Sequence, residues 1–434
     1  MILPSTSKVN KNGHLEIGGC DLALLAANYG TPLFVYDEDT LRGQCRLYKN
    51  SFLGLKSNSE VIYASKAFVC LGICQLVNNE GLSIDVSSAG ELYTALEAGF
   101  SPDKIYFHGN NKTDEELALA VDNKVGIIVV DSFMELSRLK ELLNNRGVKQ
   151  KIYLRITPGI KASTHEYIQT GQEDSKFGFS LGGAATLAVK KALENNCFNL
   201  SGLHAHIGSQ IFATRSFSKA VEVIMEFAKT LNEKTGFVMR ELDIGGGLGI
   251  KYHADDEPST VEEYAKVISK AVTKQANRLN LQEPKILVEP GRSIVGTAGV
   301  TLYTVGTIKE IKGIRTFVSV DGGMSDNLRP MLYDAKYEAL LANKAKAKAS
   351  QKVTIAGKHC ESGDVLIKDA MLPEVEMGDI LCTPATGAYG YVMANNYNRQ
   401  RKPAVVIVKD GQVKELIARE SLEDLIRLDK RLKA

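Results

Sequence analysis

Between residues 60 and 292, short runs of aliphatic and β-branched residues alternate with longer stretches whose apolar positions recur three and four apart. That rhythm predicts repeated strand–helix units. Eight runs stand out: VIYASKA, LSIDVSS, KIYFHG, GIIVVDS, KIYLRITP, LSGLHAHIG, ELDIGGG and KILVEPGR. Each is nearly continuous in apolar residues rather than alternating, as expected of parallel strands with both faces buried. Helical spacing fills the gaps between them, as at 113–121, 216–231 and 261–279. The predicted fold class is α/β, a (β/α)8 barrel of the TIM type over residues 41–295. An open doubly wound sheet has the same periodicity and stays open as an alternative.

After residue 295 the period changes. TLYTVGTIKEIKG and VVIVKDGQVKEL alternate between apolar and polar, and Asp410 and Gly411 suit a two-residue hairpin turn. Residues 296–434 are therefore expected to form a second, antiparallel β domain, a sandwich or Greek-key barrel. Residues 1–40, with LEIGG and PLFVYD, lack the strand–helix rhythm and are expected to complete its sheet. The lysines of 344–352, interleaved with alanines, predict the solvated face of a helix.

Composition narrows the function more than the fold. The chain has 434 residues, 44% hydrophobic and 24% charged, with a formal net charge of +2. That balance fits a globular enzyme and gives no basic stripe for nucleic acid or an anionic membrane. The first residues, MILPSTSKVN, show no leader-like pattern, and no apolar run approaches the roughly 18 residues needed to span a bilayer. A cytoplasmic location is the expectation. Seven cysteines without a framework or metal-type spacing fit a reducing compartment, and Cys70 and Cys74, one helical turn apart, are expected to fill core. No metal is expected.

In such a barrel the chemistry lies at the C-terminal ends of the strands. Polar residues at those ends are Lys66, Asp85, His206, the run Gly245, Gly246 and Gly247, and Glu289. A lysine buried at a strand end is costly to keep charged, so its amine becomes available for Schiff-base formation. The glycine run follows the seventh strand, where barrels commonly hold phosphate, and its spacing is wrong for a dinucleotide. Glu289 could partner a pyridinium nitrogen; an ordinary salt bridge to Arg292 is the plainer explanation, and the two roles are compatible. His206 could stack on a coenzyme ring or be a satisfied core histidine. Together these residues point to pyridoxal 5'-phosphate (PLP).

The same segments resemble the diaminopimelate decarboxylases, within the PLP fold group that includes ornithine decarboxylase and alanine racemase. VIYASKA resembles the segment of the Schiff-base lysine, HAHIGSQ that of the ring-stacking histidine, DIGGGLG the phosphate loop and EPGR the pyridinium partner. STHEYIQTGQEDSKFGF, NLRPMLY, HCESGD and TGAYGY resemble further family segments. One departure is Ala89 in DVSSAGEL, where a second glycine is expected.

The resemblance implies that Ser209, the glycine loop, Pro290, Gly291, Arg292 and Tyr389 contact the cofactor. It implies that Arg292, Arg329, Tyr333, Glu361 and Tyr389 hold the substrate and that Cys360 donates a proton, with Lys66 and His206 completing the catalytic set. It also implies a homodimer in which HCESGD reaches into the partner's barrel. The implied reaction removes CO2 from meso-2,6-diaminopimelate to give L-lysine, the last step of lysine biosynthesis. Cationic Arg292 and Arg329 beside anionic Glu361 suit a substrate with an amino-acid head at each end. The competing readings are a PLP decarboxylase of ornithine, lysine or arginine, a racemase, and a PLP-binding regulator without catalysis.

Overall fold

The computed structural model describes residues 2–55, 58–160 and 175–432. The chain divides into two compact units, one of Gln44–Ile250 and Glu257–Ser293, the other of Met1–Gly43, Lys251–Asp256 and Ile294–Ala434.

All eight apolar runs form strands in the first unit: β1 (Ser59–Ala64), β2 (Ser83–Val86), β3 (Ile105–Phe107), β4 (Ile127–Val130), β5 (Gln150–Thr157), β6 (Phe198–His204), β7 (Glu241–Asp243) and β8 (Lys285–Val288). Each pairs in parallel with the next, and β8 returns to β1 with Ile286 opposite Ser59, which closes the ring. The open-sheet alternative is thereby excluded. Ile62, Tyr106, Ile127, Val129, Tyr153 and Leu287 form one buried cluster. They come from opposite sides of the ring, so they meet in its interior and fill it.

The intervening helices start and stop where local chemistry dictates. The helix Val261–Leu279 begins at a capping box between Thr260 and Glu263 and ends at Asn280 in the left-handed conformation. The run 113–121 is the helix Asp114–Asp122, capped by Thr113, and 216–231 lies within Arg215–Thr235. Ala89 opens the helix Ala89–Glu97 behind the N-cap Ser88, a position with no need for glycine. Cys70 and Cys74 are buried at the start of Leu71–Asn79, and all seven cysteines are free.

The second unit is built on a sheet in the order Val365–Leu372, Gln351–Ala356, Arg315–Val320, Gly299–Ile311, Leu33–Asp37, Ala404–Lys409, Gln412–Ile417. Its ladders are antiparallel except for two parallel pairings, Leu33–Asp37 with Ala404–Lys409 and Arg315–Val320 with Gln351–Ala356. The hairpin turn falls at Asp410 and Gly411, with φ of 50° and 73°, the conformation a two-residue turn of this hand requires.

Two expectations need correction here. PLFVYD enters the middle of the large sheet, but LEIGG forms Leu15–Ile17 in a separate three-stranded sheet with Lys8–Val9 and Cys20–Asp21. Its strands are too short to extend the main ladder. Residues 344–352 are not helical: a single 3-10 turn, Ala342–Lys344, leads into the strand Gln351–Ala356. Lys344 is drawn into ion pairs with Glu376 and Asp379 at 2.6 and 2.9 Å, and Ala345 N donates to Gly13 O. Those bonds replace the intrahelical ones.

Candidate active site

The polar residues of the first unit gather at the C-terminal ends of its strands. Lys66 lies in the 3-10 turn Ser65–Ala67 directly after β1, Asp85 in β2, His108 after β3, and Asp131 after β4. Arg155 lies in β5, His204 ends β6 with His206 two residues on, Asp243 ends β7, and Glu289 follows β8. Backbone bonds carry the ladder past the strands: Ala64 N donates to Pro290 O, and Glu289 N to Gly245 O. Lys66, the glycine run and Glu289 are therefore held on adjoining strand ends.

Lys66 is exposed, between Ser65 and Ala67, which are wholly buried. The expectation of a buried lysine is overturned. The last laddered residue of β1 is Ala64, opposite Asp85, and the turn carries Lys66 beyond the apolar wall. Its charge still bears on Asp85 and His206.

Glu289 is buried between two histidines. His204 Nε2 lies 3.2 Å from its Oε2, and His108 Nε2 lies 2.7 Å from its Oε1. Burial alone would raise the pKa of Glu289, but His108 and His204 outweigh it and hold the carboxyl well below the usual range. Burial pushes His204 down to about 4, and lowers His108 in spite of Glu289. Half-buried His206 is driven well down by desolvation, then by Lys66 and Arg155. Asp85 and Asp243 move the other way, raised by burial and then by the charge of Glu289. Burial thus favours the neutral forms of the imidazoles and of Asp85 and Asp243, and the flanking histidines favour the charged form of Glu289. The anticipated salt bridge from Glu289 to Arg292 is not made; the histidines take its place.

The loops after β6, β7 and β8 meet at backbone contact. A Cβ on Gly246 would fall 2.1 Å from Glu289 O, and one on Gly247 would fall 2.3 Å from Gly208 O. Gly245 and Gly247 have φ of +66° and +116°, which side chains rarely adopt. Arg292 Nη2 donates to Ser209 Oγ at 3.0 Å. A guanidinium, a hydroxyl and a glycine backbone thus converge, a donor set suited to phosphate. A Cβ on Gly291 would press within 2.9 Å of those of Ala64 and Ala67, so this loop also packs on the Lys66 turn.

In the second unit Arg329 is buried, bonds to Tyr337 Oη, and lies over the rings of Tyr252 and Tyr337 at 4.6 and 5.5 Å. Among the described residues no carboxylate pairs with it, and Tyr252, Tyr337 and Tyr389 raise its pKa against the cost of burial. Tyr333 and Tyr389 are half-buried. Cys360 and Glu361 are exposed on a turn held by buried His359, whose Nδ1 lies 2.7 Å from Asp364, and by Cys360 N donating to Asn398 Oδ1.

Five polar residues of the rim escaped the reading of the sequence: His108, Asp131, Arg155, His204 and Asp243. Each was visible as a polar residue interrupting or ending an apolar run. Of STHEYIQTGQEDSKFGF, residues 163–174 lie outside the described residues. In its last part Phe177 stacks on Arg155 at 4.1 Å, and Gly178 N donates to Asp131.

The pyridoxal-binding domain of the pyridoxal-dependent decarboxylases matches residues 38–296. The diaminopimelate decarboxylase of Bacillus subtilis (strain 168) is 50% identical over 430 residues, 99% of this chain and 98% of that one. The chain belongs to the diaminopimelate decarboxylase family. The crystal structure of the family member from M. jannaschii in complex with L-lysine matches with a TM-score of 0.93 and 35% identity, covering 100% of this chain and 99% of that one. A lysine/ornithine decarboxylase from Vibrio vulnificus, complexed with putrescine, shares the fold at a TM-score of 0.76 and 22% identity, over 90% and 97% of the two chains. No helix among the described residues is long and apolar enough to cross a membrane.

Proposed function

We propose that this chain decarboxylates meso-2,6-diaminopimelate to L-lysine and CO2, with PLP carried on Lys66. The observation that carries the reading is a buried Glu289, bracketed by two histidines on the strand end next to Lys66, beside a glycine and arginine cradle fit for phosphate. When bound, PLP supplies an aldehyde that condenses with an amine and a pyridinium ring that accepts the electron pair left as CO2 departs. Lys66 would hold the coenzyme through its amine. Glu289 would accept the ring N–H and His206 would lie against the ring, with Asp85 buried beside Glu289. Ser209, Gly245, Gly246, Gly247, Pro290, Gly291 and Arg292 hold the phosphate end, with Tyr389.

Arg329, a buried cation that no carboxylate of the described residues neutralises, binds the distal carboxylate of the substrate, with Tyr333 beside it. Glu361 takes the distal ammonium. The bond from the reacting carbon to its carboxylate breaks, and Cys360 delivers the proton that replaces CO2. Two copies of the chain form the working enzyme, with Cys360 and Glu361 serving the partner's site, and free cysteines support a cytoplasmic setting.

The test is CO2 release across diaminopimelate, ornithine, lysine and arginine, with borohydride trapping. Release is expected from diaminopimelate alone, and Lys66→Ala should abolish the reducible adduct. Equal release from ornithine, or an adduct that survives in Lys66→Ala, refutes the reading.

A further inference from the structure

We propose that His204 and His108 are positioning residues: they bracket Glu289 from two strand ends, keep its carboxylate anionic, and turn it toward the ring nitrogen of PLP. This rests on the assignment of Glu289 to that nitrogen. His204 opens the segment HAHIGSQ, in which the family resemblance gives the coenzyme contact to His206, and it assigns no role to His204 or His108.

The geometry favours protons over a metal ion between these groups. His108, His204, Asp243 and Glu289 offer atoms within 4.8 Å of one another, all buried. Ligands of a tetrahedral zinc, each about 2.0–2.1 Å from the metal, stand roughly 3.3 Å apart. The His108 contact of 2.7 Å is shorter, though bent from ideal hydrogen-bond alignment, and His204 makes a hydrogen bond of 3.2 Å. The tautomer of His204 follows. Its Nδ1 is buried without a partner, so a proton there would be a wasted donor, while Nε2 would set a lone pair against a carboxylate. Nε2–H toward Glu289 is the arrangement without those costs. The two rings meet edge to face with centroids 4.7 Å apart, so neither turns independently.

The bracket also decides which carboxyl is charged. Glu289 faces Asp243 from β7, Asp85 from β2, Arg155 from β5 and His206 after β6, and Lys66 after β1 acts on the same Asp85 and His206. Two carboxyls packed together do not both ionise. Asp243 accepts one backbone N–H, from Gly245 at 2.9 Å, whereas Glu289 has an imidazole at each oxygen. The proton therefore rests on Asp243 and the charge on Glu289. Leucine at either histidine would remove that preference.

The experiment measures the affinity of apoprotein for PLP by spectroscopic titration, in His204→Leu, His204→Gln, Glu289→Gln and the double variant His204→Leu/Glu289→Gln. Far-UV circular dichroism checks folding in each. His204→Leu should weaken PLP binding about tenfold, as loss of a buried orienting partner does. Gln, whose amide N–H reaches the place of Nε2–H, should recover most of that. In the Glu289→Gln background, His204→Leu should change affinity little. Undiminished affinity in folded His204→Leu, an equal loss in both backgrounds, or stoichiometric Zn²⁺ binding that needs His204 would each overturn the proposal. An adduct persisting in Lys66→Ala refutes the coenzyme reading itself, a separate result.

Discussion

A histidine buried in its neutral form makes stability depend on pH, and His204 is such a residue. Burial lowers its pKa from 6.5 to about 4 on folding. A depressed value means that the stabilisation is present above pH 6.5 and is lost as the pH falls through 4, because the unfolded chain takes up the proton first. At about 1.4 kcal/mol per pH unit, the loss is on the order of 3 kcal/mol. Denaturant unfolding at pH 7 and pH 4.5 should therefore show a larger drop for the natural chain than for His204→Gln. An equal drop in both would mean that His204 is protonated in the folded state. Single residues were unevenly legible. Lys66, His206 and Glu289 could be picked out because strand ends are where a barrel works. The bracket of His108 and His204 around Glu289 could not, since spacing along a chain does not say which strand ends meet. The exposure of Lys66 depends on one turn of 3-10 helix, which propensity does not resolve.

Elements hold the site through close backbone approach. Gly246 links the loop after β7 to that after β8, where a single added methyl carbon would overlap a carbonyl oxygen. Gly246→Ala must push the two loops apart, and with them Glu289 and the Arg292 cradle. The expected outcome is a loss of PLP affinity of at least about tenfold. Circular dichroism should stay native, because the barrel ladders lie outside the distorted loop. Retained affinity would remove the glycine run from the phosphate site. At this scale the sequence was most readable: eight continuous apolar runs became eight strands, and the turn at Asp410 and Gly411 formed as expected. What failed were segments decided by distant partners. Lys344 gave up a helix for ion pairs with Glu376 and Asp379, residues more than 30 positions away. LEIGG paired with neighbours on either side instead of the large sheet, which took PLFVYD.

For the whole molecule, the proposal that two copies of the chain share their sites is tested by mixing variants. If two chains share their sites, each site takes Lys66 from one chain and Cys360 from the other. Lys66→Ala and Cys360→Ala should each be inactive alone. When the two are unfolded together and refolded, about half of the dimers are mixed by chance. In a mixed dimer one site carries both defects and the other carries neither. Activity should therefore return to about one quarter of that of the natural chain. If Cys360 served the site of its own chain, every site in the mixed dimer would carry one defect, and mixing would restore nothing. Light scattering on the same samples checks that dimers form, so a lack of recovery in a dimeric mixture counts against sharing and leaves the chemistry of Lys66 untouched. The exposure of Cys360 and Glu361 in a single chain, on a turn that buried His359 and Asp364 hold in place, supports the shared arrangement. A proton donor left in solvent would be a poor match for a reaction that needs its proton delivered to one carbon.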